Sequence, residues 1–175
     1  MFNADYPIGA IDYLLNENCI LKACYPLIPY KALVLEGLKA LGCARKSDAL
    51  RCSDEELLQA GLPEGLLEMF RRFLRMYDPK PQKMREIAAV SETPEEEQAF
   101  GELYALPGVK STRARLYMRA GFATLESIAA VSAEELTGAC QRAIERSALD
   151  VKAPLMKEAR THVAVARAFA ERTEG

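Results

Sequence analysis

Apolar positions recur at helical spacing along most of the chain, and no run alternates apolar and polar residues long enough to suggest a sheet. Ile8, Ile11, Leu14 and Leu15 predict a first helix opening at Pro7, weakened by Asn16 and Asn18; a short turn around Cys19 to Cys24 would follow before Pro26 and Pro29 interrupt. From Pro29, Tyr30, Leu33, Val34, Leu38 and Leu41 share one face, and Gly42 stands where a left-handed terminator belongs. Ser47 can start a one-turn helix through Leu50, and Ser53-Asp-Glu-Glu56 reads as a capping box. Pro63 or Glu64 opens a longer helix to about Tyr77, with Leu66, Phe70, Phe73, Leu74 and Tyr77 as its apolar stripe. Asp78-Pro-Lys-Pro81 is the linker candidate.

Beyond it, Gln82 to Val90 predicts a short helix, and Thr93-Pro-Glu-Glu96 starts another to about Ala105. Ser111 to Ala120 follows, with Ala114, Tyr117, Met118 and Gly121 at core spacing; Thr124 starts a further turn. Ser132-Ala-Glu-Glu135 is a capping box whose helix runs toward Ser147. A last helix is expected from about Val151 to Glu171, with Leu155, Ala159, Val163, Ala166 and Ala170 inward. The expected fold is all-α, with about eight to ten short helices.

The chain matches itself at an offset of 79: Gly42 with Gly121, Ser53-Asp-Glu-Glu-Leu57 with Ser132-Ala-Glu-Glu-Leu136, Leu27 with Leu106 and Lys31 with Lys110. The expectation is a duplication, with residues 1–78 as a first helical half, 79–93 as linker and short helix, and 94–175 as a second half. The halves are expected to pack together, since neither has much core alone.

Between the two helices of the second half stands Leu106-Pro-Gly-Val-Lys110. An aliphatic residue, proline-glycine and a second aliphatic at a tight turn resemble the helix-hairpin-helix family, strongly over Leu103 to Thr137 and weakly in the first half. The resemblance implies two related, SAM-like helical halves. It also implies a grip on DNA or RNA phosphates through backbone N–H groups and the helix dipole, without base readout. The residues it points to are Gly108, Val109 and Lys110, with Arg113, Arg115 and Arg119 after them. The family usually has a second glycine where this chain has Lys110. A lysine takes a left-handed backbone less readily, while its ammonium can itself pair with a phosphate. The first half has Ile28-Pro-Tyr30 and no glycine there, so it reads as a degenerate, structural copy.

No acidic residue lies between Glu102 and Glu126, so the hairpin region carries four local positive charges although the whole chain has a formal net charge of −2. Two readings follow. One is a non-specific nucleic-acid-binding protein. The other is a protein–protein adaptor of the same fold, in which Arg115 and Arg119 form a solvated face. A second basic stretch, Arg71, Arg72, Arg75, Lys80, Lys83 and Arg85, contains one acid, Asp78. It reads either as cations placed near a helix C-terminus or as an extension of the hairpin patch.

Nothing points to catalysis or to a cofactor. His162 is the only histidine and sits in an Ala/Val-rich helix, with no serine elbow, phosphate loop or dinucleotide fingerprint elsewhere. Cys19, Cys24, Cys43, Cys52 and Cys140 form no CxxC pair and read as buried, reduced thiols; no metal site is expected, because the spacings 4, 18 and 8 of the first four match no common zinc pattern. Tyr104 and Tyr117 are expected in the core rather than as stacking platforms. The opening residues lack a signal segment, and no apolar run approaches the about 20 residues a membrane span needs. A cytoplasmic protein with no membrane partner is the expectation.

Overall fold

The computed structural model describes residues 4–17, 22–78 and 80–170. The start of the turn expected at Cys19, the Cys19 thiol itself, Pro79 of the linker candidate and Glu171 lie outside those residues. The fold is all-α: among the described residues the only extended pairing is an isolated bridge between Pro7 and Arg45. The chain forms two compact units that divide between Asp78 and Pro79.

In the N-terminal unit, a 3-10 turn Ile8–Ala10 runs into α1 (Ile11–Leu14). Ile8, Ile11, Leu14 and Leu15 are all buried, as their spacing requires. The Ile8 amide donates to the Ala44 carbonyl (2.9 Å) and the Lys46 amide to the Tyr6 carbonyl (3.0 Å), fastening the segment to the loop after the second helix. Lys46 is buried; its ammonium pairs with Asp78 and stands 5.4 Å over the Tyr6 ring. Lys22–Tyr30 is a 3-10 helix that passes through Pro26 and Pro29 and runs directly into α2 (Lys31–Ala40). Next come α3 (Lys46–Arg51), α4 (Asp54–Gln59), a 3-10 turn Glu64–Leu66 and α5 (Leu67–Leu74).

Several expectations shift here. Val34 and Leu38 face inward, but Leu33 is 58% exposed and Leu41 40%, with Tyr30 half-buried. Three-residue steps along α2 carry the expected stripe around the helix, so Leu33 and Leu41 leave the buried face that Val34 and Leu38 share. There α2 passes so close to the end of α4 that a Cβ on Gly37 would collide with the Ala60 backbone. Helix α3 starts at Lys46, because Asp48 accepts from the Ala44 and Arg45 amides while Ser47 donates to Asp5. Helix α5 ends at Leu74, where the Arg75 and Met76 amides tighten into i→i−3 bonds; Leu67, not Leu66, takes the buried place.

The C-terminal unit holds α6 (Pro81–Val90), α7 (Pro94–Leu103), α8 (Ser111–Arg119), α9 (Leu125–Ala129), α10 (Ala133–Ser147) and α11 (Met156–Ala170). Thr93, Thr124 and Ser132 each accept the amide of their helix's third residue at 3.1 Å. Phe100, Leu103, Ala114, Tyr117, Ile128, Leu136, Ala159, Val163 and Ala166 form the core, with Tyr104 also buried and Met118 half-buried. Helix α11 packs across α9 and α10, while α8 packs on α7 and α10. It begins five residues later than expected. Pro154 disfavours helical backbone at Ala153, which keeps the helix from starting at Val151; Leu155 stands just ahead of the helix and is 76% exposed rather than inward.

The ends of α2 and α8 close in the same way. Gly42 (φ +81°) and Gly121 (φ +96°) take the left-handed conformation. Cys43 N–H donates to Leu38 O at 3.0 Å, and Phe122 N–H to Tyr117 O at 2.8 Å.

Candidate nucleic-acid interface

The hairpin joins α7 to α8 and is pinned from inside. Leu106 and Val109 are buried; Pro107, Gly108 and Lys110 are exposed. The Val109 amide donates back to Leu106 O at 3.2 Å, closing the turn over Gly108. Gly108 has φ +74°, and a Cβ there would meet nothing within 4 Å, so glycine is needed for its backbone angle and not for room. Lys110 has φ −128° and ψ −168°. That is extended backbone open to any residue, so lysine at this position costs no strain.

His162 holds the turn from α11. Its Nε2–H donates to the Pro107 carbonyl at 2.8 Å, and its Nδ1 is 2.5 Å from the Tyr117 hydroxyl. A carbonyl can only accept, so the proton sits on Nε2, and Nδ1 accepts from the Tyr117 O–H. Both side chains are fully buried. Burial lowers the imidazole's affinity for a proton below the usual range, outweighing the Pro107 bond, and raises the Tyr117 hydroxyl above its own. The sequence places His162 in line with Ala159, Val163 and Ala166, the spacing that marks the buried stripe; its bond to Pro107 spans 55 residues and has no local signal.

Helix α8 begins without a side-chain cap and without an acid in its first turn. Burial makes the Tyr104 hydroxyl proton harder to remove, with Ser111 and Arg115 acting the other way. No acceptor among the described residues meets the amides of Gly108, Lys110, Thr112 or Arg113. They border a cleft of about 600 Å³ whose lining also includes Lys152, Asp150 and Glu158.

The four expected cations are used differently. Arg113 makes a two-pronged pair with Glu158 (3.1 and 3.3 Å) and donates to Lys152 O at 2.7 Å. Arg115 bonds Glu96 (3.1 and 3.4 Å) and Val90 O (2.7 Å) over the Phe100 ring. The pair holds Glu96 below the usual carboxylate range and Arg115 above its own, the hydrogen bond between them being the chief cause in each. Arg119 is exposed at the far end of α8, about 12 Å along the axis from Ser111. Lys110 alone of the four stands at the hairpin with its side chain exposed.

The second basic stretch is divided between the units. Arg71 pairs with Asp54 at 2.5 Å and donates to Cys52 O at 3.1 Å, while Arg72 lies 3.8 Å from Glu68. Lys80 and Lys83 belong to the C-terminal unit. The Lys83 ammonium donates to the Tyr104 carbonyl at the end of α7. Its proton is held less tightly than usual because of burial, then because of the like charges of Lys80 and Lys110, with Glu86 acting the other way. Cys24, Cys43, Cys52 and Cys140 are free and buried; Cys43 Sγ and Cys52 Sγ lie 3.6 Å apart. Comparison of the chain with protein-family models, with curated proteins and with solved structures returned no match.

Proposed function

We propose that the C-terminal unit is a helix-hairpin-helix module that holds the phosphate backbone of nucleic acid without reading its sequence, and that it binds rather than catalyses. The observation that carries this reading is the set of unpaired backbone donors at one turn. The amides of Gly108, Lys110, Thr112 and Arg113 lack acceptors among the described residues and stand beside a lysine and the positive end of α8, whereas the helices after Ser53, Thr93, Thr124 and Ser132 spend a side chain on that same need. Lys110 supplies the charge. Arg113 and Arg115 hold α8 against its neighbours, and Val109 anchors the turn.

The two units read as copies, the first having lost its grip. The matching closures at Gly42 and Gly121 and the capping boxes at Ser53 and Ser132 support the duplication. In the first unit a 3-10 helix stands where the hairpin would be.

The test is fluorescence anisotropy of labelled single- and double-stranded DNA at low and moderate salt. Binding that weakens with salt and is lost in Lys110→Glu is the expected result. No binding at low salt overturns the reading. It would favour a protein partner, for which the exposed Leu33, Leu41 and Leu58 of the N-terminal unit offer an apolar surface.

A further inference from the structure

Lys110 belongs to two groups of charge. On one side, the start of α6 is fastened to the hairpin by the Lys83 bond to Tyr104 O, which brings exposed Lys80, one turn before Lys83, to the same end of the unit. On the other, Lys110 and exposed Lys152 line one cleft, and Arg113 fixes the Lys152 backbone by bonding its carbonyl. The acids nearby are accounted for differently. Glu158 is neutralised by Arg113, whereas Asp150, exposed at the cleft, and Glu86, exposed on α6 and acting on Lys83, repel an anion. A single phosphate needs only the hairpin amides and Lys110. Cations spread from α6 to the loop before α11 suit an extended polyanion.

Resting on the reading above, we infer that the ligand is a phosphodiester strand held over several consecutive phosphates, with Lys110 at the centre and Lys80 and Lys152 as additional binding residues to either side. Lys83 places α6 by holding Tyr104 O. Asp150 limits the affinity.

The test uses the full chain with a labelled oligothymidylate, a labelled duplex of mixed sequence, and inorganic phosphate as competitor. Each protein is checked for unchanged helical circular dichroism. Lys80→Ala and Lys152→Ala should each weaken binding on both DNAs and lower the slope of log affinity against log salt by about one unit. Asp150→Asn should tighten binding. Arg142→Ala, which removes an exposed cation from α10, should change nothing. Phosphate should compete only weakly. If Lys110→Glu abolishes binding while Lys80→Ala and Lys152→Ala leave affinity and slope intact, the strand inference falls and the hairpin reading stands. If Arg142→Ala acts as strongly as Lys80→Ala, the attraction is diffuse and the inference falls as well. Failure of the unaltered protein to bind either DNA at low salt sinks both. The preferred form, single strand or duplex, follows from which probe binds more tightly.

Discussion

The imidazole of His162 has two nitrogens, and its Nδ1 accepts from the Tyr117 hydroxyl only while the ring is neutral. Tyr117→Phe removes the partner of Nδ1 and leaves a buried acceptor unmet, so it should destabilise the protein by about 1–3 kcal/mol in urea unfolding. Protonation would place a second N–H against the Tyr117 hydroxyl. The folded state therefore binds this proton less tightly than the unfolded chain. The stability that His162 contributes is complete above its unfolded value of about 6.5 and is lost as pH falls below that value, until the folded ring also protonates. Unfolding curves across mildly acidic pH should show this loss, and His162→Gln should flatten it. Cys43 is a second case at this scale. Burial, then its bond to Cys52, raise its thiol to about 12. It should resist iodoacetamide at mildly alkaline pH until the protein is unfolded, as mass spectrometry can establish.

At the scale of elements, one substitution has opposite signs at two glycines. Gly101 lies in α7, and a methyl group added there would meet nothing within 4 Å. Gly101→Ala should raise stability by about 0.5–1 kcal/mol through backbone entropy. Gly37→Ala has the same propensity gain in α2 but drives its methyl into the Ala60 backbone, and should lower the thermal midpoint and loosen α2 from α4. Helix starts were the most legible feature of the chain, because a cap is a contact between residues three apart: Ser53, Thr93 and Ser132 all act as their spacing implies. Exposure was less legible. Leu33 and Leu155 have the composition of core residues, but what lies over them is set by other elements. The 3-10 path through Pro26 and Pro29 is likewise a tertiary result that two prolines alone read as an interruption.

For the molecule as a whole, net charge is a poor guide to what it attracts. Residues 79–170 carry 13 basic and 12 acidic residues, a net charge of +1, against 9 basic and 11 acidic in residues 3–78. Much of the positive charge near the hairpin is spent internally by Arg113 and Arg115, which sequence counts as surface cations and the fold uses as ties. Their partners Glu158 and Glu96 lie 45 and 19 residues away, beyond any local pattern. Lys80 and Lys152 show the converse, since only folding associates them with Lys110. The C-terminal unit has its own buried core around Phe100, Tyr117 and Leu136. A fragment beginning at Pro79 should therefore fold alone, with a helical circular dichroism spectrum and a cooperative melt.

The bond from His162 to the Pro107 carbonyl has a consequence for how the chain is made. Synthesis runs from the N-terminus, so the hairpin leaves the ribosome 55 residues before the side chain that fixes its carbonyl. Until α11 emerges and docks, the turn has its glycine, its local amide bond and the Lys83 bond to Tyr104 O, but nothing holds the Pro107 carbonyl. The motif is thus not portable: a peptide that ends after α8 carries every residue of the hairpin and lacks the strut that sets its shape.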